Sequence, residues 1–131
     1  VKFSESTNTD WKHMGIYTEV ELDAGVYQFD MDMSYTEIND LWGEVYIGQE
    51  KPVDGADYSG DIYVLKAYNA WDCGNIKTYS GKASSSGCDN SENPGQFEIT
   101  NSGKYYLLFR TGGQTYGPNG IVIDNMSVIK L

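Results

Sequence analysis

The sequence predicts an all-β chain folded as an antiparallel β-sandwich of the jelly-roll kind, and three observations carry that prediction. Eleven Tyr, three Trp and four Phe with 15 Gly in 131 residues make a composition rich in strand formers and turn residues. Apolar residues recur at every second position in several short segments, the period of a half-buried strand rather than of a helix. Turn signals separate those segments at short intervals, which suits seven to nine strands in two packed layers. At this length residues 1–131 form one domain, large enough to bury a core.

Taken in order, the first strand signal runs from Glu19 to Met33. Val20 and Leu22 alternate inward, Asp23-Ala24-Gly25 turns or bulges the chain, and Tyr27, Phe29, Met31 and Met33 then alternate with Gln28, Asp30, Asp32 and Ser34. One face is buried and the other acidic. Residues 43–49 form the next strand, which sends Val45 and Ile47 to one face and Trp42, Glu44 and Tyr46 to the other. A loop rich in Pro, Asp and Gly at 51–61 leads into a strand at 62–69, where Ile62, Val64 and Lys66 oppose Tyr63, Leu65 and Ala67. Strands at 96–100, 104–110 and 120–129 complete the pattern, with Asn101-Ser102-Gly103 as the turn between the first two of them. No helix, internal repeat or interdomain linker stands out.

Charge and cysteine content narrow the function. Nineteen acidic against nine basic side chains give a net charge of −10, an unfavourable field for nucleic acid or for a strongly anionic polysaccharide. No apolar run approaches the length of a membrane span. The chain opens without a charged-then-apolar leader, so an export signal is expected to have been removed or to belong to a longer parent. Cys73 and Cys88 enclose a Gly- and Ser-rich segment, residues 74–87. A disulfide there is worth about 3 kcal/mol in the chain-entropy account and points to an extracytoplasmic, secreted or cell-surface address. One His, His13, in what reads as an irregular opening segment, leaves no basis for a zinc site or a Ser/His/Asp arrangement.

Val20-x-Leu22-x-Ala24-Gly25-x-Tyr27-x-Phe29, then Ser102-Gly103-Lys104-Tyr105-Tyr106-Leu107-Leu108-Phe109-Arg110, then Gly120-Ile121-Val122-Ile123-Asp124-Asn125-Met126-Ser127-Val128 together resemble a family: the carbohydrate-binding modules with a galactose-binding-like jelly roll. These are the relatives of families 4, 9, 16 and 22 that accompany secreted polysaccharide-degrading enzymes. The resemblance spans most of the chain. It implies a non-catalytic, monomeric module, excised from a larger protein and covalently linked there to a catalytic or surface-anchoring domain. The ligand implied is a polysaccharide; the acidic charge favours a neutral one, and family analogy puts a β-glucan, β-1,3-linked, first. In such modules the closing Asp and an acidic residue of the opening strand hold a structural calcium. That role carries to Asp124 and to Glu5, although the family's Asn-x-x-Phe-Glu opening is shortened and altered here. Calcium also suits the chemistry, since carboxylates and backbone carbonyls where first and last strands pair can supply a hard cation.

On this reading Trp42, Tyr46 and Trp71 stack on pyranose faces. Glu44, Asn69, Arg110 and Gln114 hydrogen-bond hydroxyls, and Tyr116 reaches over the ligand from a polar loop at 112–120. Each residue has a plainer alternative: the aromatics as core, Arg110 as an ion-pair partner, Asp124 as a turn residue. Two other functions compete as well. One is a small glycoside hydrolase or lyase using paired carboxylates such as Glu44 and Glu98. The other is an adhesion sandwich using the same aromatics against a protein.

Overall fold

Two antiparallel sheets stack face to face, as the period-two patterning predicts. The computed structural model describes residues 1–4, 12–55, 61–73 and 76–131. Its strands are β1 (Lys2–Phe3), β2 (Lys12–Leu22), β3 (Gly25–Tyr35), β4 (Asn39–Gly48), β5 (Ile62–Asn69), β6 (Tyr79–Lys82), β7 (Gln96–Ile99), β8 (Gly103–Thr115) and β9 (Ile121–Lys130), with one 3-10 turn at Ala83–Ser85. One sheet runs β1-β9-β3-β6, with β7 also on β3; the other runs β2-β8-β4-β5. β6 and β7 pair with opposite ends of β3. The gap between them is closed by Asp30, whose carboxylate accepts the Ser84 N–H at 3.1 Å and the Ser84 hydroxyl at 2.7 Å. Among the described residues no helix is long and apolar enough to cross a membrane.

The core follows the alternation that the sequence displays. On β3, Tyr27, Phe29, Met31, Met33 and Tyr35 point inward; on β4, Leu41, Val45 and Ile47 do. Phe109, Ile121 and Ile123 meet them from β8 and β9. A hydroxyl network lies inside: Thr111 Oγ1 donates to the Trp42 carbonyl at 2.9 Å and is hydrogen-bonded to the Tyr68 hydroxyl. Burial in these surroundings pushes the Tyr68 phenol well above its ordinary range. Cys73 and Cys88 are bonded, with Cα atoms 5.2 Å apart, so the turn after β5 is tied to the segment after the 3-10 turn.

Several boundaries differ from the sequence reading. β2 begins at Lys12, not Glu19, and pairs with β8 along its whole length, from Lys12↔Gly113 to Leu22↔Gly103. His13 therefore sits on a strand. β8 continues to Thr115, so residues 112–115, expected in a loop, are strand. Glycines are tolerated there because β2 and β4 hold Gly112 and Gly113 from both sides. β5 keeps its expected limits but not its alternation. Register shifts against β4 place Val64 and Leu65, and again Ala67 and Tyr68, on buried positions in succession. β1 and β6, of two and four residues, are too short to show a period.

Candidate functional site

The outer face of the β2-β8-β4-β5 sheet carries the candidate site. Strand pairing arranges its side chains in cross-strand rows: His13, Gly112, Trp42 and Asn69; then Gly15, Arg110, Glu44 and Lys66; then Tyr17, Leu108, Tyr46 and Tyr63. The alternation of β4 that buries Val45 and Ile47 completely is what turns Trp42, Glu44 and Tyr46 outward. All three are half-buried by neighbours on this face.

A groove of about 1040 Å³ opens along the β2 and β8 side of the face and reaches past β2 to Met14 and to Phe3 of β1, both packed with the core. Among the described residues its walls include His13 and Trp42 on one side and the segment from Pro52 to Gly55 on another. Gly15, Leu108 and Arg110 lie between them, beside Tyr17. Arg110 is the centre of the polar chemistry. Its guanidinium lies 5.2 Å from the Trp42 ring centroid and 5.0 Å from that of Tyr46, a cation held between two π faces. Nε and one terminal nitrogen donate to Glu44 Oε2 at 3.3 Å. The two side chains are only 15% and 20% exposed, so the pair is shielded more than an ordinary surface ion pair. Burial first, and the Glu44 carboxylate next to it, push the Tyr46 phenol up. The same two causes raise Tyr63, whose ring meets Tyr46 edge-on at 5.0 Å.

Two glycines shape this surface. Gly112 stands on the outer face yet is buried, because the Trp42 indole occupies the volume a side chain would fill: a Cβ there would lie 2.4 Å from Cζ2 and 2.9 Å from Nε1. The ring is thereby carried from its own strand across β8, where it meets the His13 ring in a T-shaped contact with centroids 5.3 Å apart. Gly15 leaves the floor low between His13 and Tyr17.

The structure distributes the expected site residues unevenly. Trp42 and Arg110 lie on the groove; Glu44 and Tyr46 flank Arg110. Trp71 is 57% exposed, in the turn that follows β5 at the Trp42 end of the sheet. Asn69 shapes that turn: its Oδ1 accepts the N–H groups of Trp71 at 2.8 Å and Asp72 at 2.9 Å, an Asx turn that leaves this oxygen engaged within the chain. Gln114 follows Gly112 on β8, half-buried, one row beyond Trp42. Tyr116 is a core residue, fully buried, its hydroxyl 3.5 Å from Thr111 Oγ1, so it does not reach over the groove as expected. The chain turns inward there because Gly117, at φ +77°, lets its backbone pass against the Thr36 carbonyl, where a side chain would clash. Glu44 and Glu98 stand on different sheets, Glu98 exposed on β7, and are not brought together.

Asp124 is exposed on β9, in register with Asp32 on β3. Its Oδ1 accepts the N–H of Asn125 at 2.8 Å, and Asp32 is held by Lys82 and by the Asn125 side-chain amide, both at 2.7 Å. β1 pairs with β9, as the calcium expectation requires. Glu5 lies outside the described residues. Among those described, no three His, Cys, Asp or Glu side chains converge as a metal-binding group.

His13, Gly15, Tyr17, Leu108 and the Pro52–Gly55 segment enter the site without having been singled out. The signal was present: His13, Gly15, Tyr17 and Glu19 alternate with Met14, Ile16, Thr18 and Val20, which continues the period of the recognised strand toward the N-terminus. No family model matches the chain, and comparisons with curated proteins and with solved structures return no match either.

Proposed function

We propose that this chain is a non-catalytic carbohydrate-binding module that takes a neutral polysaccharide along the outer face of its four-stranded sheet. The observation that carries the reading is the Arg110–Glu44 pair held between Trp42 and Tyr46 beside an open groove. Indole and phenol rings offer apolar area to the C–H faces of sugar rings, and a charge-compensated polar centre offers donors and acceptors to hydroxyls. Lys66 is matched in the same way, 2.7 Å from Asp72. A site whose described cations already have carboxylate partners suits a neutral chain better than an acidic one, and the net charge of −10 acts in the same direction.

A β-glucan, β-1,3-linked, is the first choice of ligand, on family resemblance. The disulfide suits an oxidising, secreted or cell-surface setting, where a tethered module raises the local concentration of its parent protein on the polymer. Incubation with a panel of neutral and acidic polysaccharides, followed by calorimetric titration and product analysis, tests the reading. Binding of a neutral glycan without cleavage supports it; cleavage makes the protein an enzyme, and absence of binding across the panel leaves the face as a protein-adhesion surface. A structural calcium at Asp124 belongs to the same reading and is checked by melting with and without chelator, since an ion bound only by the folded state raises stability.

A further inference from the structure

We infer that Gly112 is the residue that sets the shape of the groove, by seating the Trp42 indole across β8. This rests on the glycan reading of the groove and deepens it to a specificity-determining position. Trp42 belongs to β4, but the Cζ2–Nε1 side of its ring fills the space above Gly112 on the neighbouring strand. A β carbon at 2.4 Å from Cζ2 is far inside van der Waals contact, so Ala at this position moves one partner. The Gly112 backbone is held by pairing to His13 on β2 and to Trp42 on β4; the indole is half-buried and turns about two side-chain bonds. The ring is therefore what yields. Leaving β8, it loses its edge contact with His13 at 5.3 Å and its place over Arg110 at 5.2 Å, and the wall it forms with His13 is dismantled.

The same packing recurs on the opposite side of the sheet. The Tyr68 ring fills the space above Gly43, where a Cβ would lie 2.5 Å from Cζ. There the aromatic is fully buried and serves the core. At Gly112 the aromatic faces the groove, so the identical steric device acts on ligand shape.

The test compares wild type with Gly112→Ala, Trp42→Ala and the double variant, in two readouts. The first needs no ligand: NMR shifts of the His13 ring and Arg110 side-chain protons, which sense the indole ring current. Gly112→Ala is expected to move these resonances toward their positions in Trp42→Ala. The second is titration with laminari-oligosaccharide. Gly112→Ala is expected to weaken binding about tenfold, the scale of one displaced anchor at an interface, and to add nothing further in the Trp42→Ala background, because the glycine acts through that ring. Unchanged resonances, or independent losses in the double variant, overturn the inference. Failure of the wild type to bind any neutral glycan overturns the proposed function instead, and the resonances still decide whether Gly112 seats the ring. Should Gly112→Ala melt too low to study, Gly112→Ala with Trp42→Phe, whose smaller ring leaves room for a methyl group, is expected to recover the melting temperature; no recovery also overturns the inference.

Discussion

Replacement of Trp42 by Ala separates a binding wall from a core residue, because the two roles differ in which quantity they move. In the structure the indole rests over Gly112, meets the His13 ring at 5.3 Å and has Arg110 at 5.2 Å. Losing one aromatic pair costs about 0.5–1.5 kcal/mol and one cation–π contact about 0.5–1 kcal/mol, beyond the area the half-buried ring covers. The free protein should therefore lose about 1–2.5 kcal/mol from these contacts, against about 3–5 kcal/mol for truncating a core aromatic. For a domain of this size that is a fall in Tm of several degrees, at about 3–5 °C per kcal/mol. Affinity should drop by about 1.5–3 kcal/mol, or about 10- to 150-fold in Kd, if the ring stacks on sugar. Calorimetric titration of a neutral oligosaccharide and thermal melts on the same preparations measure both. Trp71, 57% exposed, buries less of its ring than the half-buried Trp42, so Trp71→Ala should lower Tm by less. A stability loss of core size with Kd preserved would refute the reasoning, as would a variant unaltered in both.

Four further outcomes are expected. Reducing Cys73–Cys88, or replacing both by Ser, should lower stability by roughly 2–5 kcal/mol, read as a shift in the denaturant midpoint; two free thiols by mass spectrometry in oxidised protein would contradict it. Glu44→Gln removes the negative charge to which Arg110 donates at 3.3 Å, so at low salt the preference between a neutral and a uronic-acid polysaccharide should swing toward the acidic one by about tenfold, ~1.4 kcal/mol; an unmoved ratio removes the pair from the site. Burial raises the Tyr35 phenol to about 12 and holds the Tyr68 phenol well above its ordinary range. Because these folded values lie above the unfolded one, the stabilisation is intact below about pH 10 and fades as pH rises, by up to about 1.4 kcal/mol per unit and group; chemical denaturation from pH 8 to 12 shows it, and Tyr35→Phe should flatten the slope. Thr111→Val removes the hydroxyl shared by Tyr68 and the Trp42 carbonyl and should cost about 1–3 kcal/mol; melts that match wild type would show the network contributes nothing.

How much of this was legible in sequence depended on whether a segment's burial was set by its own period or by its neighbours. β3 announces its buried face because Tyr27, Phe29, Met31 and Met33 alternate with acids and amides over a long run, and β4 does so through Val45 and Ile47. The cysteine pair reads directly from a loop that gains from closure. β5 hides its true faces because the register shifts against β4 put neighbouring residues on the same side, and one-dimensional alternation has no sign for a bulge. The N-terminal half of β2 is quiet for another reason: as an outer strand it buries Met14 and Ile16 only partly and spends its other positions on His13, Gly15 and Tyr17, so apolar contrast is weak. Tyr116 misleads most, because its polar, Gly-rich surroundings suggest a surface loop while tertiary packing places the ring in the core.

The groove itself could not be read from sequence, for a reason that bears on how such surfaces are specified. Trp42 and Arg110 are 68 positions apart in sequence, yet pairing of β4 with β8 sets Trp42 opposite Gly112 and Glu44 opposite Arg110. An aromatic opposite a glycine folds over it; a carboxylate opposite a guanidinium pairs with it. Placed in consecutive rows, the two events bring the indole and the compensated charge together. Either residue moved by one position would turn to the other face of the sheet. The chemistry of the site is thus a property of cross-strand register, and Thr111, between Arg110 and Gly112 on β8, points the opposite way and anchors the Trp42 carbonyl from inside the core. The strand that carries the groove's charge also fixes, through its inward face, the backbone from which the groove's indole departs.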